Sequence, residues 1–102
     1  MARFDVYEYD NKRVPLVIEV QADLLEGLIT TVVIPLVEEQ SCSEETLPRL
    51  KPIISINNNN FILMTTDISA VPRNTLGKYI SNLEEHHGDE ITEALDFLFQ
   101  GF

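Results

Sequence analysis

Thr30-Thr31-Val32-Val33-Ile34-Pro35-Leu36-Val37 is the most β-prone run of the chain. β-Branched residues dominate it, and they pack well on a pleated surface. The run therefore predicts a central strand. Pro35 stands near its end, where a missing N–H is tolerated. Upstream, Phe4, Val6 and Glu8 alternate with Arg3, Asp5, Tyr7 and Tyr9, a period of two that predicts a strand. Asp10-Asn11-Lys12-Arg13 is a polar turn, and Pro15 to Val20 is the second strand of a hairpin. Gln21 to Gly27 breaks the strand as an exposed loop, leaving Leu24 and Leu25 in need of cover.

Downstream, residues 38 to 50 form a long polar excursion with one helical turn. Pro52-Ile53-Ile54-Ser55-Ile56 returns to strand. Asn57 to Asn60 is a four-Asn turn, since Asn tolerates the left-handed backbone of tight hairpins. Phe61 to Thr65 is the returning strand, and Asp67 to Val71 is a short one ended by Pro72. Ser81-Asn82-Leu83-Glu84-Glu85 carries capping residues followed by acids, the signature of a helix start. Ile91, Ala94, Leu95, Leu98 and Phe102 then recur at helical spacing, and Gly101 ends the helix. Five or six short strands and one C-terminal helix predict a mainly β (α+β) fold. Its form is a small twisted sheet or partly open barrel with the helix over one end. Phe97 and Phe99 flank the helical stripe on opposite sides. That apolar sector is too wide for one contact, and a partner chain would cover the rest.

With 102 residues the chain is one domain, since neither half of a division would hold enough core. Acids outnumber bases 17 to 7, for a net charge of -10. The bases are also dispersed, which argues against direct nucleic-acid binding and against an anionic membrane surface. Cys42 is the only cysteine, so no intrachain disulfide forms and the chain reads as cytoplasmic. No signal peptide opens it, and no apolar run approaches a membrane span.

The chemical inventory is sparse. His86 and His87 are adjacent, point about 100° apart on a helix and read as solvated surface. Met64-Thr65-Thr66-Asp67 reads as a hydrogen-bonded turn, because nothing beside it supplies a general base or oxyanion donors. Glu38, Glu39, Glu44 and Glu45 match no calcium-loop spacing. No metal or cofactor motif occurs. The tail Phe99-Gln100-Gly101-Phe102 is apolar and leaves the helix at a Gly, so it serves either core packing or an exposed binding element.

Five blocks together resemble the CcdB-type toxins, the gyrase poisons of toxin–antitoxin modules. They are Phe4-Asp5-Val6-Tyr7-Glu8-Tyr9, Ile18 to Leu25 with its V-Q-x-D core, Val33-Ile34-Pro35-Leu36, Met64-Thr65-Thr66-Asp67 with Ala70-Val71-Pro72, and the terminal Phe99 to Phe102. They occur in family order from residue 4 to residue 102. The resemblance implies an SH3-like, partly open barrel of five to seven short antiparallel strands with one C-terminal α-helix. It also implies a homodimer with no catalysis of its own. Such toxins enter the dimer formed by the A subunits of DNA gyrase, trap the enzyme on cleaved DNA and are neutralised by a cognate CcdA-type antitoxin.

Carried over position by position, the resemblance implies a gyrase-facing set of Ala22, Leu24, Asp96, Phe99, Gln100, Gly101 and Phe102. The best-known member has Trp in place of Gln100, and Ser and Asn in place of Ala22 and Asp96. Two other readings compete. A MazF-like endoribonuclease would share the barrel, but would need an acid/base pair and a basic groove for phosphates. An interaction module would keep the fold and lose the target.

Overall fold

The computed structural model describes residues 2–9, 13–25, 27–41 and 47–101. These form seven strands: β1 (Asp5–Tyr9), β2 (Leu16–Glu19), β3 (Thr30–Glu38), β4 (Ile53–Ile56), β5 (Asn59–Leu63), β6 (Ser69–Pro72) and β7 (Leu76–Asn82). Helix α1 follows at Glu84–Gln100. The sheet order is β4-β5-β3-β2-β1-β7, and β6 also pairs with β3. Every pairing is antiparallel. The result is an open, curled half-barrel with one C-terminal helix, the mainly β architecture expected.

β3 is central, as its composition predicts, and the pairing shows how. One edge carries β2, from Val33 opposite Glu19 to Leu36 opposite Leu16. The other edge is shared. Thr30 to Val33 pair with β6, and Leu36 to Glu38 pair with β5. Pro35 therefore lies inside the strand, not near its end. Met64 N donates to the Pro35 carbonyl at 2.9 Å, so the proline nitrogen faces the gap between β6 and β5. No ladder bond is needed from it there, which is why proline is accommodated mid-strand.

Alternation along the strands builds two apolar layers. Val6, Ile18, Ile34, Leu36, Ile54 and Leu63 face the main core with Ile91 and Ala94 of α1. Tyr7, Val17 and Val33 form a smaller cluster on the opposite face, flanked by Val71 and Leu76. The four-Asn turn is tighter than its sequence suggests. Only Asn57 (φ 51°) and Asn58 (φ 68°) take the left-handed conformation, while Asn59 and Asn60 belong to β5.

β7 is not foreseen from the sequence. None of its residues is fully buried and it includes Gly77 and Lys78, so no buried alternating face marks it. It forms because β1 needs a second neighbour: Asp5 pairs with Asn82, Tyr7 with Tyr79 and Tyr9 with Leu76, with irregular register between them. Thr65–Asp67 is a short 3-10 turn, closed by Asp67 N to Met64 O at 2.9 Å, as the turn reading expects. At the helix start the Asn82 carboxamide accepts from Glu84 N at 2.9 Å, with Glu84 and Glu85 in the first turn. Among the described residues no helix is long and apolar enough to cross a membrane.

Candidate interaction site

The residues singled out from the sequence fall on two elements. Asp96, Phe99 and Gln100 lie three and four positions apart in the last turns of α1, and so share one face. All three are exposed, Phe99 to 71%. Gly101 takes φ 81° and donates its N–H to the Phe97 carbonyl at 2.9 Å. It is a left-handed cap that turns the chain off the helix axis, a conformation L side chains resist. Phe102 lies outside the described residues.

Ala22 and Leu24 sit on the other element, the loop between β2 and β3. Asp23–Leu25 is a 3-10 turn in which Leu25 N donates to Ala22 O at 3.0 Å. The V-Q-x-D block explains its shape. Gln21 spans the loop, with Nε2 donating to Leu25 O at 3.3 Å and Oε1 accepting from Val32 N at 3.2 Å. The Asp23 carboxylate accepts from the Arg3 backbone N–H. These bonds leave Leu24 standing out, 92% exposed. Leu28 and Ile29 of the same loop are exposed too, Ile29 to 84%. The sequence reading passes over both. Their signal is an apolar pair directly before the central strand.

The wide apolar sector of α1 is only partly open. Phe97 is half-buried beneath Arg49, whose guanidinium lies 4.9 Å from the ring centroid and 3.2 Å from the Glu93 carboxylate. One flank is therefore covered within the chain, and Phe99 is the most exposed apolar side chain among the described residues of the helix.

A buried polar network lies on the sheet face opposite the main core. Glu19 is only 3% exposed. Its Oε2 accepts from the Thr31 hydroxyl at 2.5 Å and from Arg73 Nη1 at 2.9 Å. Its Oε1 has no partner among the described residues. Close by, the Tyr7 hydroxyl donates to Asp5 Oδ2 at 3.2 Å, and Asn82 donates to Asp5 Oδ1 at 2.9 Å. Burial pushes the Tyr7 pKa well above the ordinary phenol value. The Asp5 charge, the hydrogen bond to Asp5 and the Glu19 charge add to that shift, while Arg73 opposes it. Sequence reading misses this network, because Glu19 looks like an alternating surface acid and Arg73 is 54 residues away.

The other candidates place as follows. His86 is exposed, and His87 Nδ1 lies 2.7 Å from Glu90 Oε1. Glu38 and Glu39 border an open groove of about 350 Å³ with Gln40 and Asn58 to Asn60. Glu44 and Glu45 lie outside the described residues, as does Cys42. Among the described residues no three His, Cys, Asp or Glu side chains gather as a metal-binding group.

Two solved structures share the fold. A mycobacterial endoribonuclease in complex with its cognate antitoxin matches with TM-score 0.74 and 15% identity, over 97% of this chain and 94% of that one. A mycobacterial endoribonuclease matches with TM-score 0.73 and 15% identity, over 97% and 90%. These neighbours correct the expectation of a chain with no catalysis of its own. The same fold occurs in proteins described as endoribonucleases, so absence of catalysis does not follow from it. The family is fixed by sequence. The profile described as CcdB protein matches residues 3–101, nearly the whole chain, and the chain therefore belongs to the CcdB-type toxins.

Proposed function

We propose that this chain is the toxin of a type II toxin–antitoxin module that binds the A subunit of DNA gyrase and traps the gyrase–DNA cleavage complex. The observation that carries the reading is the end of α1. Asp96, Phe99 and Gln100 share an exposed face, and the left-handed Gly101 redirects the chain beyond them. A large apolar side chain left 71% exposed at a rigid helix end has the character of an anchor for a partner pocket. Ala22 and Leu24 form the second contact, and the family resemblance adds Phe102 to the set.

The toxin acts as a homodimer, which brings two such surfaces together, and a cognate CcdA-type antitoxin covers them. The acidic chain favours an antitoxin segment rich in Lys and Arg, with charge raising the association rate more than the final affinity. Calorimetric titration into the purified gyrase A subunit tests the central contact. Wild type binds, and Phe99→Ala loses most of the heat while keeping its folded circular dichroism. Equal binding by both proteins would refute the site.

A second reading follows from the structural neighbours. In an endoribonuclease toxin, the network of Glu19, Thr31, Tyr7 and Arg73 on one sheet face would be the acid/base and phosphate-binding set, and it would have to open to substrate, because Glu19, Thr31 and Tyr7 are buried. Incubating the protein with total RNA decides it. Defined cleavage products that disappear in Glu19→Gln would establish this reading over the first.

A further inference from the structure

The two halves of the loop that presents Leu24 are joined by the Arg73 side chain. Arg73 Nε donates to the Leu28 carbonyl at 2.8 Å, and Nη2 donates to the Leu25 carbonyl at 3.4 Å. Nη1 meets Glu19 Oε2 at 2.9 Å, and the Arg73 backbone N–H donates to Ile29 O at 2.8 Å. One guanidinium thus ties two loop carbonyls to a carboxylate that is itself fixed by Thr31. The planar fork matters, because several fixed donors span separate acceptors at once, which an ammonium on a flexible stem does not reproduce.

Gln21 and Asp23 tie the first half of the loop, but among the described side chains only Arg73 joins that half, at Leu25 O, to the second half, at Leu28 O. Leu24, Leu25, Leu28 and Ile29 are all exposed, so their side chains add little packing. We infer that Arg73 is a positioning residue for the target-binding loop. It acts through the Leu25 and Leu28 carbonyls and fixes Leu24 before the partner arrives. The ordering cost is then met in the free protein instead of at binding. The loop's role as a contact rests on the gyrase reading; the clamp itself does not.

Arg73→Lys separates the clamp from simple charge balance. Lysine keeps a cation beside Glu19 but not the fork to both carbonyls. Amide hydrogen exchange at Leu25 and Leu28, referenced to β2 and β3 amides, reads the loop directly, since these amides donate to Ala22 O and Leu25 O. The inference expects faster exchange at both. It also expects binding to the gyrase A subunit weakened about tenfold, as the loop's ordering cost moves to the binding step. A second variant, Glu19→Gln with Arg73→Met, removes both charges together, so no unpaired ion stays buried, and it should give the same loop signature. Unchanged exchange at Leu25 and Leu28 in both variants would overturn the clamp. Faster exchange with unchanged binding would overturn its role in recognition. If the wild type does not bind the gyrase A subunit, the gyrase reading fails and the exchange result alone decides the clamp.

Discussion

The Thr31 hydroxyl donates to Glu19 Oε2 at 2.5 Å, and both side chains are shut away from solvent in neighbouring strands. A buried carboxylate depends on each of its partners, because an unpaired charge inside a protein costs far more than a lost surface contact. Thr31→Val keeps the shape and removes the donor. We expect a loss of about 2 kcal/mol in unfolding free energy by urea titration. Glu19→Gln and Arg73→Met combined with Thr31→Val should recover part of it, since no buried charge is then left short of a partner.

Tyr7 gives the fold an alkaline limit. Its hydroxyl is buried and faces Asp5, so the folded state holds the phenolic proton more tightly than the unfolded chain does. The sign follows from that. Below about pH 10, the ordinary tyrosine value, both states are protonated and the contribution is constant. Above it the unfolded chain releases the proton first, and stability falls as pH rises. Thermal melts from about pH 8 to 11, spanning that value, should show this decline in wild type and a flatter profile in Tyr7→Phe.

Gly77 sits where β7 crosses β1. A Cβ there would stand 2.8 Å from the Glu8 carbonyl oxygen and 3.3 Å from the Glu8 Cβ. The backbone oxygen cannot swing aside, so Gly77→Ala must shift one strand. We expect about 1–3 kcal/mol of destabilisation. An unchanged melting temperature would show that β7 packs differently.

On the proposed gyrase reading, position 100 should tune the target contact. Gln100 is exposed at the last turn of α1, and a Trp there would add an aromatic face able to stack on a guanidinium. Gln100→Trp should strengthen poisoning of gyrases matched to Trp-bearing relatives. Gly101→Glu should abolish it, because the cap requires positive φ. Phe99→Ala should change stability by less than about 0.5 kcal/mol, as expected for an exposed side chain, while losing gyrase binding. Gyrase-mediated DNA cleavage with the three variants checks the activities, and urea titration checks the fold.

Much of the architecture is written locally. β3, the Asn57–Asn58 hairpin and the stripe of Ile91 and Ala94 each follow from period and composition, because each buries one apolar face or marks a tight reversal. β7 escapes such a reading because its pairing with β1 is set by tertiary demand and buries none of its residues fully. The site divides the same way. Phe99, Gln100 and Gly101 are close in sequence and stand out as a Gly-broken helix end, whereas Asp96 enters only through the family resemblance. The support beneath Leu24 joins Glu19, Thr31 and Arg73 from three strands or turns, and nothing in their local sequence announces it. The flank at Phe97 looks open in sequence only because Arg49, far away in the chain, is needed to cover it.

Gyrase as the target can be tested in the cell without a matched purified enzyme. The protein is expressed without its antitoxin in its own host, and chromosomal DNA and total RNA are examined together at growth arrest. The expected result is protein-linked double-strand breaks in DNA, intact RNA, and loss of both breaks and arrest in Phe99→Ala. Arrest with intact DNA and RNA cut at defined sites would contradict it.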